Sequence, residues 1–274
     1  MDTYAYDRLI HLTLEEKILY SKSMIRKALH DFTNKELFIS WTGGKDSTLS
    51  MWLFRQVCQE ENRPLPKAMF IDEGSVFDEI LELIEKTKNK WGVEVIVAKN
   101  SDVSDKASDI GDIIKVADLS ERNQRELLQL DFHEETFPFD PESLVGNHMM
   151  KTVAMNMFVE EYHVKALVTA IRWDEQEART QETFFSPRHD PAHTRIHPIL
   201  HFTERDVWDT IHEYEIPFCS LYYEGYRSLG AKCATERLQN IPAWEQDLEN
   251  TVERTGRGQN KEDVMAQLRA LGYM

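Results

Sequence analysis

The chain has 274 residues, 41% hydrophobic and 29% charged, which suits one soluble α/β domain with a sizeable core; no stretch approaches the ~20 apolar residues that span a bilayer. Lys and Arg number 32 against 48 Asp and Glu, a formal net charge of -16, so nucleic acid is an unlikely partner and any anion site must be positive locally. Cys58, Cys219 and Cys233 form no Cys-x-x-Cys pair and read as free thiols, and the segment after Met1 has neither a basic leader nor an apolar signal core, making the cytoplasm the expected location.

Apolar residues at Leu14, Ile18, Leu19, Ile25, Ala28 and Leu29 predict a covering helix. The run from Leu37 to Trp41 then predicts a strand, Gly43-Gly44 a turn, and Thr48 to Val57 a helix. The pattern repeats with a strand from Ala68 to Asp72, a helix from Val76 to Lys90 and a third strand from Val93 to Val97. Such alternation predicts parallel pairing in a doubly wound, mostly parallel sheet, with ligands beyond the carboxyl ends of its strands. Residues 101–140 are polar and read as helices and loops. A long helix from Ser143 to Tyr162 and a fourth strand from Ala166 to Ile171 follow. Ser186 to His197, with two prolines, reads as irregular, and Thr203-Glu204-Arg205-Asp206 as a capping signal for another helix. Beyond Pro217 the chain is loop-like as far as Pro242, and 260–274 reads as a terminal helix. The expected division is a domain over 1–215 and a dependent C-terminal loop and helix extension over 216–274.

The most informative segment is Ser40-Trp41-Thr42-Gly43-Gly44-Lys45-Asp46-Ser47. Two glycines after a strand allow positive φ and close approach of an anion to the backbone, and the N-terminus of the following helix adds a partial positive charge. Lys45 brings a mobile ammonium and Ser47 a hydroxyl. Asp46 can cap the helix or help hold magnesium. A plain strand-to-helix turn would not require this combination of Ser, Lys, Asp and Ser. The spacing also differs from Walker A, which needs four residues before its Gly-Lys.

This loop resembles the Ser-x-Ser-Gly-Gly-Lys-Asp-Ser loop of PP-loop adenine-nucleotide α-hydrolase-like enzymes, with Thr42 replacing a serine. Within that superfamily the chain is most similar to the phosphoadenylylsulfate (PAPS) reductase family, including the small subunit of heterodimeric ATP sulfurylase. The resemblance extends through Asp72-Glu73-Gly74, where glutamate replaces a threonine, and Met150-Lys151-Thr152. It continues in Ala170 to Arg179, in Pro198 with the Thr203 to Trp208 element, in Leu221 to Gly230, and in the Glu253-Arg254-x-Gly256-Arg257 tail. It implies an α/β fold that binds ATP with Mg2+ and cleaves it between the α- and β-phosphates. The partners it implies are a small oxyanion acceptor and either a GTPase large subunit or further copies of the chain.

On this resemblance, Ser40, Thr42, Gly43, Gly44, Lys45, Asp46, Ser47, Asp72 and Lys151 are the expected nucleotide contacts, with Asp46 at the metal. Lys45, Asp46, Arg172 and Arg179 are the expected catalytic group, and the acceptor is expected on Arg172, Asp174, Glu175, Arg179, Gly225, Tyr226 and Arg227. Guanidinium forks suit phosphate or sulfate. For Arg179, pairing with nearby carboxylates is an equal reading. Five histidines between His189 and His212 match no zinc spacing. Tyr222, Tyr223 and Tyr226 suit either a pocket wall or aromatic packing, and the methionines around Met150 suit a helix core. Reductases of the family need a cysteine near the C-terminus, and none follows Cys233, which favours adenylyl transfer over reduction. A flavin-adenylating enzyme and a non-catalytic nucleotide sensor are the alternatives; an RNA-modifying enzyme would call for a basic face that this composition lacks.

Overall fold

The computed structural model describes residues 3–176 and 179–256, so the terminal helix expected over 260–274 lies outside the described residues. In chain order, α1 (Thr3–Ile10) and α2 (Leu14–Asp31) precede β1 (Leu37–Ser40), α3 (Lys45–Glu60), β2 (Ala68–Ile71), α4 (Asp78–Trp91) and β3 (Val95–Ala98). The covering helix α2 starts at a capping box, Thr13 with Glu16. Then come α5 (Ser101–Ser104), β4 (Ile113–Lys115), α6 (Glu121–Gln129), β5 (Thr136–Pro138) and a long helix. That helix runs through α7 (Leu144–Asn147), a π-helical turn His148–Val153, and α8 (Ala154–Glu161). The last elements are β6 (Ala166–Val168), β7 (Phe185–His189), β8 (Ala192–Ile196) and α9 (Glu204–Glu213).

The main sheet has the order β3-β2-β1-β6-β8-β7, parallel except for β7. Because side chains alternate along a strand, Leu37, Ile39, Ala68, Phe70, Ala166 and Val168 enter one core with α2, α3, α4 and α9. Phe38, Met69 and Leu167 point the other way, against Phe158 and Val159 of α8. Helices on both faces make the sheet doubly wound, as the strand–helix alternation predicts. From β1 the chain builds outward to β3, then returns to β6 on the other side of β1. The β1/β6 boundary is therefore the switch point at which such sheets open a crevice.

Two segments differ from expectation. Residues 101–140 hold an antiparallel pair, β4 with β5, and build a satellite core of Val103, Ile114, Leu127 and Phe137 against Met149, Met150 and Val153. Each strand has three residues, too few for a period-two pattern to stand out. The stretch 186–197 is the hairpin β7–β8 rather than irregular chain; Pro187 occupies the edge strand β7, where a missing N–H is tolerated.

Beyond α9 the described chain contains short 3-10 turns, among them Ser220–Tyr222 and Glu253–Gly256, and an isolated bridge residue at Thr235, but no further helix or strand of any length. It still packs tightly: Ile216, Leu221, Tyr222, Ala243 and Leu248 join the same core as α3 and α9. Trp208 of α9 meets Tyr222 edge-on at 5.0 Å and Trp244 at 5.2 Å between ring centroids. Among the described residues no helix is long and apolar enough to cross a membrane.

Candidate functional site

At the switch point β1 runs into the glycine turn. Gly43 has φ +74°, and a Cβ there would lie 2.9 Å from Ile80 Cγ2, so both backbone and space demand glycine. Gly44 caps α3 with no side-chain hydrogen bond, leaving the first turn of a 16-residue helix to be satisfied from the cleft side. One of those amides is engaged: Lys45 N donates to the Tyr222 hydroxyl at 2.9 Å. Ser47 Oγ accepts from Thr42 N at 3.2 Å and donates to Gly44 O at 3.0 Å, which ties the loop into one rigid turn. Trp41 is fully buried and donates from its indole to Thr48 at 3.0 Å, a packing role.

This turn opens onto a cleft of about 400 Å³. The ends of β1, β2 and β6 line it through Ser40, Ile71 and Thr169, and the C-terminal segment closes it with Tyr222, Ser228, Glu253 and Arg254. Four basic side chains line the cleft, Lys45, Lys151, Arg179 and Arg254, against five carboxylates, Asp46, Glu73, Glu142, Glu175 and Glu253. The expected surplus of positive charge is thus absent from the lining. Each cation arrives with carboxylate partners because all are drawn from water into one enclosed site.

Lys45 and Arg172 share a partner that sequence reasoning missed. Glu253 accepts from both Lys45 Nζ and Arg172, and Lys45 Nζ also donates to Arg227 O at 3.2 Å and lies 3.7 Å from Glu204. Burial pulls the Lys45 ammonium down, but Glu253 and Glu204 outweigh it and its pKa is raised. Burial pushes the Glu253 carboxyl up, but Arg172 and Lys45 hold it well below the usual range. The signal for Glu253 was its place in the Glu-Arg-x-Gly-Arg tail; Glu204 had been visible only as part of a cap.

Arg172 is displaced from its expected role. It is 0% exposed, pairs with Asp46, Glu253 and, at 2.9 Å, Asp174, and does not line the cleft. Asp174 in turn accepts from Glu204 N at 2.7 Å, so it braces α9 rather than facing a ligand. Arg227 is likewise a brace. It forks onto Glu204 at 2.8 to 3.2 Å and donates to the carbonyls of Asp247, Leu248 and Thr251 at 3.1 to 3.3 Å. Gly225 shapes the same segment: its φ is +100° and a Cβ would sit 1.9 Å from Gln239 O. Tyr226 packs on Phe77 at 5.6 Å. Asp72 caps the turn after β2, accepting from Gly74 N at 2.9 Å, and Ile71 and Glu73 reach the cleft in its place.

Arg179 does reach the cleft, and Arg254 joins it. Both pair with Glu175, Arg254 at 2.8 Å, so two guanidinium groups rest on one carboxylate. Burial raises the Glu175 carboxyl, but Arg179 and Arg254 draw it down to about 2. Lys151, on the π-helical turn, lines the same cleft, 2.5 Å from Glu73 and 3.4 Å from Glu142. The histidines have structural partners: His201 Nε2 lies 3.2 Å from Lys17 O, and His193 Nδ1 2.7 Å from Pro191 O. Among the described residues no group of three or more His, Cys, Asp or Glu is placed to hold a metal.

A doubly wound sheet with an anion-ready strand–turn–helix at its switch point defines the class of fold. Residues 36–237 match the phosphoadenosine phosphosulfate reductase domain, and the chain belongs to that family. It is 23% identical over 245 residues to sulfate adenylyltransferase subunit 2 of Brucella anthropi, covering 79% of this chain and 71% of that one. Against the sulfate adenylyltransferase subunit 2 of Alkalilimnicola ehrlichii identity is 25% over 227 residues, covering 74% of this chain and 65% of that one. FMN adenylyltransferase of Candida glabrata shares the fold at a TM-score of 0.64 and 17% identity, with 93% of this chain and 94% of that one covered. That protein has also been solved with FMN and the ATP analogue AMPCPP.

Proposed function

We propose that the chain is an ATP-dependent adenylyltransferase whose acceptor is sulfate or a similar small oxyanion. The observation that carries this reading is the N-terminus of α3, whose glycine cap supplies no side-chain acceptor, opening behind Gly43-Gly44 into a cleft that also holds Arg179 and Arg254. In the reaction an acceptor oxygen attacks the α-phosphorus, the bond to the bridging oxygen breaks, and pyrophosphate leaves with the electron pair. No protein nucleophile is required, so the work is positioning and charge stabilisation.

The amides of the loop and the hydroxyls of Ser40 and Thr42 hold the β- and γ-phosphates in this reading, Ser47 joins them by turning its proton from Gly44 O, and Lys45 exchanges Glu253 for phosphate oxygen. Arg179 and Arg254, spaced by Glu175, receive the oxyanion, and Lys151 adds a further cation to the same cleft. Magnesium bound with the nucleotide would neutralise charge on the leaving pyrophosphate. The donor set fits that mode, since such an ion takes most ligands from phosphate and water and one carboxylate, Asp46, from the chain. Lys45, Asp46 and Arg179 keep the catalytic assignment, whereas Arg172 acts by fixing Asp46 and Glu253. The cytoplasm and a large-subunit partner belong to the same proposal, the latter supported by the name subunit 2 that both bacterial relatives carry.

The test is to incubate the chain with ATP, magnesium and either sulfate or FMN, and to measure pyrophosphate and the adenylylated product. Lys45→Ala should lower pyrophosphate release by about 10² to 10³, the scale of losing one donor to developing charge. Unchanged release would sink the assignment, and FAD in place of adenylylsulfate would move the acceptor to a flavin.

A further inference from the structure

The cleft floor carries a hydroxyl whose direction is set from beneath. Thr169 follows β6 one residue beyond the Ile39–Val168 pair, lines the cleft beside Ser40, and donates its amide to Ile196 O at 2.9 Å. Its Oγ1 lies 2.7 Å from Nδ1 of His197, which is 1% exposed. The other ring nitrogen, Nε2, is 3.5 Å from Glu182 Oε2. Glu182 is itself buried, accepting from Ser186 at 2.8 Å and from Arg188 at 3.0 and 3.2 Å. The line Glu182, His197, Thr169 thus runs from a buried ion pair to the ligand cleft.

The chemistry of the line fixes its protons. Burial keeps the His197 ring neutral, and although burial alone would raise Glu182, its contacts with His197, Ser186 and Arg188 keep it ionised. A carboxylate can only accept, so the ring proton belongs on Nε2 and Nδ1 is left with a lone pair. The Thr169 carbonyl, 3.3 Å from Nδ1, would favour the opposite tautomer, but it is a neutral acceptor, and the full negative charge of Glu182 at 3.5 Å from Nε2 outweighs it; the hydroxyl contact fits either tautomer and takes its direction from this choice. Thr169 therefore donates its hydroxyl proton inward and turns oxygen lone pairs toward the cleft. Phosphate oxygens are acceptors at neutral pH and gain nothing from such a group.

We propose that Glu182 and His197 fix the Thr169 hydroxyl as a hydrogen-bond acceptor that selects a donor on the nucleoside half of the nucleotide, a ribose hydroxyl or a base amino group. This rests on the reading of the cleft as an ATP site. Thr169 touches the ligand; His197 and Glu182 are positioning residues that act through it.

The experiment compares dissociation constants of ATP, 2′-deoxy-ATP, 3′-deoxy-ATP and purine riboside triphosphate, which lacks the 6-amino group, for the full chain and four variants. Thr169→Val and His197→Leu should each weaken ATP about tenfold, while leaving unchanged the one analogue that lacks the recognised donor. That analogue identifies the donor. Thr169→Ser, which keeps the hydroxyl, and His197→Asn, which keeps an acceptor near the place of Nδ1, should restore most of the affinity, as a purely structural role would not predict. Should His197→Leu fail to fold, the near-isosteric Thr169→Val carries the comparison. Equal weakening of all four nucleotides by Thr169→Val, or none, overturns the proposal. Failure of the unmodified chain to bind ATP would instead overturn the reading of the cleft itself.

Discussion

Between Leu37 and Glu60 the cleft wall is made by neighbours in sequence, whereas residues 216–256 reach the same cleft by side chains that pair with other segments, Glu253 with Lys45 across 208 positions. The first region is a backbone device. A strand, two glycines and a helix create an anion-ready turn whatever surrounds them. The second has almost no regular structure and works as a charge device: Glu253, Arg227 and Arg254 lock onto partners from α3, α9 and the loop after β6. A site of this kind needs both, because the turn supplies direction and the segment decides which charges face it.

Breaking the charge device should have the largest effect on folding. Arg172→Ala leaves Asp46 and Glu253 short of a buried partner, and thermal or denaturant unfolding should register a loss of about 3–5 kcal/mol. A loss of under about 1 kcal/mol, the scale of an exposed pair, would mean that the cluster relaxes or takes up water. Breaking the backbone device should cost less. Gly43→Ala forces a non-glycine residue to φ +74° against Ile80, worth about 1–3 kcal/mol by equilibrium denaturation, with nucleotide affinity falling in parallel. The smallest effect sharpens the comparison. Glu253→Gln keeps the shape and removes the competing charge, so calorimetry should find ATP bound about tenfold more tightly, or about 1.4 kcal/mol. Weaker binding would show that Glu253 supports the nucleotide instead of yielding to it.

Legibility followed the same division. The strand–helix order, the covering helix and the glycine turn before α3 were readable because period and glycine chemistry are local. The capping signal at Thr203 appears as a capping box with Asp206. The long helix from Ser143 was also readable, but not the π-helical turn that places Lys151. Arg172 and Arg227 look alike in sequence to Arg179, since a guanidinium beside carboxylates suits an anion site or a brace equally. Only the chain path tells them apart: Glu253 and Glu204 arrive from distant segments and claim the first two. Thr169 and His197 are 28 positions apart; Thr169 lies outside the motifs, and His197 stood out only beside Pro198 and as one of five histidines, with nothing local to pair the two. The hairpin β7–β8 was hidden by its prolines, which mark irregular chain on average and an edge strand here.

The carboxylate of Glu253 gives the lysine of the phosphate loop a history before any nucleotide arrives. Lys45 is 1% exposed and already holds an anion, so in the proposed ATP site an incoming phosphate would meet an occupied seat, not a bare charge. Uptake is then an exchange, in which one anion enters as another is released, and the electrostatic gain is the difference between the two. That difference is smaller than the attraction of a free ammonium, and it does not bind every passing anion equally. Only a ligand that also satisfies the loop amides recovers what the departing carboxylate supplied, so the seat discriminates by making entry conditional.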